Sequence, residues 1–454
     1  MSKRMQMRHG RSRRTFCQVF ILFSGILIFG VFAAFPSGEE VVAIKGGKIL
    51  TMTGKVYDNG MVVIKNGKID KVGENGRAPR GATVINARGK YVMPGIVDAM
   101  TYFGIRPFAR NVAAPVTAEN RIIDAYYVYG DLMRGEGGIQ AESELLCGGV
   151  TTVYIAPGSS QLIGGQGAVV KTYGETFDSL IIREPAGIDM TIAYMPLGEY
   201  GMPGSNPPTR MSSMALLEKT LMDARHYAAK LDEYDAKSEE EKEKTHAPHR
   251  DLANEALIKM LNREIPARIE ADFVDDILSA VKIAEEYNLN LILDSGIGAY
   301  KIRDVLAAKK IPVVLSPVSH PYGFAHFNCL LEIQELENER SAALLVEAGV
   351  KIAIGSHSFD LALLSGKGTQ GRWLLLEAAL ATSFGLSEEE ALKAVTINAA
   401  EILGVDRRVG SLEKGKDGDV IILSGHPLKV ESLVEHVFID GIHSYKRLPE
   451  GENR

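Results

Sequence analysis

The chain has 454 residues, 46% hydrophobic and 24% charged, with a formal net charge of −6. That length and apolar content mark a globular chain, with room for one large α/β barrel plus a smaller satellite domain or for two or three average domains. Both signs of charge are mixed along it without a basic footprint, which excludes DNA and RNA as expected partners. Cys17, Cys147 and Cys329 show no CxxC spacing, so neither a disulfide framework nor a zinc ribbon is written here, while a single Cys147–Cys329 bridge stays open.

Residues 1–38 form a segment of their own. Lys3, Arg4, Arg8, Arg11, Arg13 and Arg14 precede an apolar run from Phe16 to Phe35. Such a run is long enough for a helix to cross the ~30 Å hydrocarbon core, which makes an uncleaved anchor with its positive side in the cytoplasm one of two readings. The alternative is a cleaved signal, with Val31-Phe32-Ala33 as the small-residue site ahead of Pro36. Ser12-Arg13-Arg14-Thr15-Phe16 is either a twin-arginine export motif or two arginines of an ordinary basic flank. Each alternative predicts an exported, periplasmic or extracytoplasmic protein of a prokaryote, anchored in the inner membrane if the segment is retained.

From Val41 to Lys90, VVAIKGGKIL, MVVIKNGKIDKVG and ATVINARGKYV are short β-type runs separated by Gly-Gly and Asn-Gly turn signals. A matching pair, GSLEKGKDGDVIIL and VEHVFIDGIHSY, closes the chain. Neither half has strands enough to bury a core alone, so residues 39–90 and 405–454 are expected to form one composite β-sandwich.

Between them, in 91–404, strand-like runs alternate with helical patterns. Eight candidate strands can be placed, at 92–99, 150–156, 167–172, 190–195, 266–271, 289–294, 311–316 and 351–356, which predicts a (β/α)8 TIM-type barrel of parallel βα units. Leu217, Leu221, Ala224, Ala228 and Leu231 make one helical stripe, Ile277, Val281 and Ala284 another, and Ser387 caps a third helix. KSEEEKEK, residues 237–244, reads as a solvated face or insertion. GGQG at 164–167 is followed by β-type residues instead of a helix, so it reads as a tight loop at the pocket floor and not as a phosphate cradle.

The first barrel strand, GKYVMPGIVDAMTYFG, resembles the PGxxDxHxH segment of the metal-dependent amidohydrolases. TTVYIAPGSSQLIGGQGAVVK, IEADFVDDI, GAYKIRDVLAAKKIPVVL, AGVKIAIGSHS and TINAAEILGV extend the resemblance to the imidazolonepropionase-like branch, over Val41 to Tyr445. The resemblance implies a (β/α)8 barrel with a composite β-sandwich, and hydrolysis of non-peptide carbon–nitrogen bonds by a water activated on zinc or another divalent metal. It also implies histidines from strands one, five and six, often a carboxylated lysine, and an aspartate after strand eight.

At those places this chain carries Met100 and Tyr102 on strand one, Glu270 on strand five, Ser295 on strand six and His357 after strand eight. All five ligand positions are changed. Met is a poor ligand for a hard divalent ion and a tyrosine phenol a reluctant one, so no metal site and no cofactor is expected. Lys171 is the one candidate for the carboxylated lysine, although an ordinary strand-end charge is the better reading. Glu270, Asp294, His320 and His357 fall at predicted strand ends, where a replacement site would form. For His320 a turn ahead of an aromatic loop is the preferred reading. Arg210 stands either at the mouth, holding a carboxylate, or on a surface turn.

Together these features predict an exported or membrane-anchored amidohydrolase-fold protein that has lost its chemistry and keeps a pocket lined by Met100, Tyr102, Glu270, Ser295 and His357. It would bind a small-molecule ligand or pair, as homo- or hetero-oligomer, with a related amidohydrolase. The alternative is an active enzyme with a rebuilt metal site or a metal-free Glu270/His357 acid–base pair.

Overall fold

The computed structural model describes residues 40–102, 114–126, 145–158, 161–174, 176–192, 207, 209–317, 339–356 and 370–448. His320, His357, Cys329 and the apolar run Phe16–Phe35 lie outside them. Among the described residues no helix is long and apolar enough to cross a membrane.

Strands from both ends of the chain pair into one sheet. β1 (Val41–Leu50), β2 (Val56–Lys65), β3 (Lys68–Glu74), β4 (Thr83–Asn86) and β5 (Tyr91–Pro94) join β14 (Val420–Leu423), β15 (Val434–Ile439) and β16 (Ile442–Lys446) in the order β16-β15-β14-β5-β1-β2-β3, with β4 alongside β1. The two tight hairpins follow from local chemistry. Asn66-Gly67 and Asp440-Gly441 all have positive φ, which is what a two-residue turn matched to strand twist requires. Ile44, Val62, Ile64, Ile69, Val92, Val420, Ile422 and Phe438 form a core belonging to this sheet alone, so the two chain ends bury each other's apolar faces.

The second sheet also has eight strands: β6 (Ile96–Thr101), β7 (Val150–Ile155), β8 (Ile163–Lys171), β9 (Ile181–Thr191), β10 (Ala267–Ala271), β11 (Leu291–Ser295), β12 (Val313–Leu315) and β13 (Ile352–Ile354), in chain order across the sheet. The backbone N–H of Ser356, just past β13, donates to Asp98 of β6 at 2.9 Å and brings the two edges together into a nearly closed barrel. Its interior is filled by Val97, Ala99, Tyr154, Val169, Ile292, Val314 and Ala353, packed with Ala399 and Ala400 of the last helix, Ile397–Ile402, and with Leu403 that caps it.

Two expectations need correcting. The run 92–99 is two strands in two sheets. A Cβ at Gly95 would lie 2.1 Å from the Thr151 hydroxyl, so only glycine lets the chain pass this close to β7 as it moves from the terminal sheet into the barrel. The barrel is also not wholly parallel, because β8 runs antiparallel to both β7 and β9. GGQG accordingly lies in a strand instead of a loop.

The helices follow the sequence pattern. Thr209 and Ser212 cap the helix Arg210–Asp235 reciprocally; Leu217, Leu221 and Ala224 are buried, and the stripe fades at Ala228 and Leu231 where the helix outruns the barrel. Ile277, Val281 and Ala284 are buried on the helix Val274–Glu286, and Ser387 caps Glu388–Ala394. Glu239–Lys244 is a short helix with no buried residue.

Candidate active site at the barrel mouth

β6 brings Asp98, Met100 and Tyr102 to the barrel. Met100 is 3% exposed, and Tyr102 packs half-buried against the same interior cluster. Asp98 is fully buried; its Oδ1 accepts from the N–H groups of Ser356 (2.9 Å) and Met100 (3.2 Å), while Oδ2 has no hydrogen-bond partner among the described residues. Burial pushes its pKa up to about 6, against the lowering effect of the Ser356 hydrogen bonds.

β10 and β11 carry the centre of the arrangement. Arg268 and Glu270 alternate along β10, and in register Glu270 sits opposite Asp294. The buried Arg268 guanidinium grips Asp294 with both edges of its fork, Nε to Oδ2 at 2.9 Å and Nη2 to Oδ1 at 2.6 Å. Nη2 also donates to the Ala99 carbonyl at 2.9 Å, and the guanidinium carbon stands 3.6 Å from the centroid of the Tyr154 ring. Tyr154 in turn donates to Asp189 Oδ2 at 2.7 Å. Two glycines make room for this chain of contacts. A Cβ at Gly187 would come within 3.2 Å of the Arg268 stem, and one at Gly167 would overlap the Tyr154 hydroxyl.

Asp189 is the group for which this network has no full counter-charge. Burial pushes its pKa up to about 8; the Arg268 charge opposes the shift and Asp294 adds to it. An acid whose folded pKa lies above its unfolded value of 3.8 binds more protons in the folded state. Folding stability is therefore expected to fall as pH rises from about 4 to about 8, and Asp189→Asn, which keeps an acceptor for Tyr154, should flatten that slope in urea unfolding measured across the range.

At the mouth itself, Glu270 is half-buried at the end of β10. Ser295 is 5% exposed, holds a left-handed backbone (φ 68°) and shares a hydrogen bond of 2.9 Å with the Ser316 hydroxyl. Asp294, read from sequence as lining a pocket, is instead the buried partner of Arg268. Arg210 spends its Nε and Nη2 donors on the neighbouring helix Val274–Glu286, at Asp276 (2.9 Å), the Asp275 carbonyl (3.2 Å) and Ser279 (2.8 Å). The donors described at the family's ligand positions are a thioether, a phenol, one carboxylate and a hydroxyl already hydrogen-bonded to Ser316. Such a set, with a guanidinium one residue pair below Glu270, does not fit a divalent zinc.

Lys171 lies at the opposite end of the barrel, because its strand runs against its neighbours and delivers its carboxyl end toward the terminal sheet. There Nζ meets Asp419 Oδ2 at 2.6 Å, Asp417 Oδ2 at 3.0 Å and Asp440 Oδ1 at 3.5 Å, with no exposure of its own. Lys68 and Arg408 also pair with Asp417. Among the described residues these three aspartates are the one group of three or more acidic, histidine or cysteine ligands close enough to share a cation, and an ammonium already stands among them. Cys147 is a free thiol that contacts the Tyr445 hydroxyl at 3.2 Å.

A family model described as the amidohydrolase family matches residues 136–442. The chain belongs to the amidohydrolase family. A solved amidohydrolase from Thermotoga maritima superposes with TM-score 0.78 and 32% identity over 89% of this chain and all of that one. Among curated proteins, the amidohydrolase TasK of Hapsidospora irregularis is 23% identical over 430 residues, 89% of this chain and 42% of its own. An imidazolonepropionase of Thermoplasma volcanium is 31% identical over 113 residues, 25% of each chain. The chain thus spans less than half the length of these curated relatives. The family's barrel and added β-domain are the architecture described above.

Arg268, Tyr154 and Asp189 were not singled out from the sequence. The signal was there in part, since a charged residue two positions before Glu270 in an otherwise apolar strand shares its face.

Proposed function

We propose that this chain is an exported or membrane-anchored amidohydrolase-family protein in which metal-dependent hydrolysis of carbon–nitrogen bonds has been lost, and whose barrel binds a small molecule or a related, complete amidohydrolase subunit. The observation that carries the reading is the exchange of groups at the mouth. Met100, Tyr102, Glu270 and Ser295 stand where paired histidines would hold metal, and the interior below them is occupied by the Arg268–Asp294 ion pair. Meanwhile Lys171 is enclosed by carboxylates away from the mouth and is not poised to be carboxylated and bridge metals.

Reversion of the ligand positions tests this. The pair Met100→His with Tyr102→His should show no tight zinc binding by calorimetric titration, since the remaining positions are still wrong. Adding Glu270→His, Ser295→His and His357→Asp should restore uptake. Tight binding by the two-residue variant would overturn the reading.

A further inference from the structure

We propose that a groove between the helix Leu374–Ser383 and the turn that leads into β15 is a docking surface for the anionic face of a lipid bilayer. The groove, open to solvent, is lined among the described residues by Trp373, Leu376, Val430 and Leu433 together with Arg372, Lys429 and Arg447, and by no acidic residue. Its apolar members are unusually bare: Trp373 is 51% exposed, Val430 78%, Leu433 41% and Leu376 38%. An exposed apolar patch of this kind marks an interaction site. Lys429 and Arg447 have no ion-pair partner among the described residues, and the Arg372 guanidinium stands 4.9 Å from the Trp373 ring. Glu431, on the same turn, is outside the lining.

Charge complementarity selects the occupant. A chain of net charge −6 gathers here, among the described residues, three cations and no acid around exposed indole and aliphatic side chains. That is the composition of a membrane-interface anchor, where tryptophan sits at headgroup depth and Lys and Arg meet anionic lipid. The inference deepens the membrane-associated reading of the sequence, and it uses surfaces apart from the barrel mouth.

Trp373 is the only tryptophan in the chain, so it reports on the groove directly. The full chain is floated with vesicles of phosphatidylcholine alone or with phosphatidylglycerol added, with brominated acyl chains as quenchers. The expected result is quenching of tryptophan emission in the anionic vesicles only, relieved by salt. Quenching should be lost in Lys429→Glu with Arg447→Glu, whose effective affinity for the anionic surface falls on the order of 30-fold or more. Flotation on both vesicles without quenching would overturn the docking surface and leave the amino-terminal anchor standing. Quenching that ignores lipid charge and the two variants would also overturn it. Flotation and quenching with anionic vesicles alone would support the docking surface and remove the anchor.

Discussion

Replacing Lys171 by methionine is expected to destabilise the protein by about 3–5 kcal/mol, the usual cost of removing one partner from a buried ion cluster. Asp417 and Asp419 are almost wholly buried, and each has Lys171 within 3.0 Å. Lys68 and Arg408 would remain on Asp417, but Asp419 would lose its only ion-pair partner among the described residues. The cluster holds Asp417 down to about 2, the Lys171 charge and the Lys68 hydrogen bond outweighing burial. These contacts join β8 of the barrel to Asp417, Asp419 and Asp440 of the carboxyl-terminal segment, so the loss should loosen the two sheets together. Urea unfolding followed by circular dichroism measures it. A change below about 1 kcal/mol, the range of an exposed salt bridge, would mean that the ammonium is not the counter-ion of these aspartates.

Arg268→Met should have a similar effect at the other end of the barrel, again about 3–5 kcal/mol, because it leaves Asp294 buried with no bidentate partner and removes the cation stacked on Tyr154. The companion variant separates charge from packing. With Asp294→Leu added, no unpaired carboxylate remains at that position, and most of the lost stability should return. If the double variant were as unstable as the sum of the two single ones, the ion pair would not be the unit that fills the barrel.

Much of the architecture was legible because it is written locally. Asn66-Gly67 and Asp440-Gly441 announce their hairpins by backbone conformation, Ser387 announces its helix, and the strand-like runs at both chain ends are too few to stand apart. The direction of β8 was not read, because the candidate strands at 167–172 and 190–195 leave a link long enough for a parallel crossover, whereas the strands observed do not. The links from Ile155 to Ile163 and from Lys171 to Ile181 are shorter than the dozen or so residues that a parallel crossover needs, so both neighbours had to be antiparallel. Missing that placed Lys171 at the wrong end. The side chains at the family's ligand positions, Met100 and Tyr102 above all, could be read because a motif fixes positions. The Arg268–Asp294 pair below them could not, since it depends on the register between β10 and β11 and on the space left by Gly187. A carboxylate such as Asp294 at a strand end reads the same whether it faces a ligand or a buried guanidinium. The expected Glu270/His357 pairing lies partly outside the described residues.

On the proposal that side chains occupy the place of the metal, the decisive quantity is the metal content of the purified full chain. Elemental analysis after gentle purification without chelators should find no stoichiometric zinc or other divalent transition metal. One or two ions per chain, lost in Glu270→Gln, would contradict the account and make the barrel mouth a rebuilt metal centre.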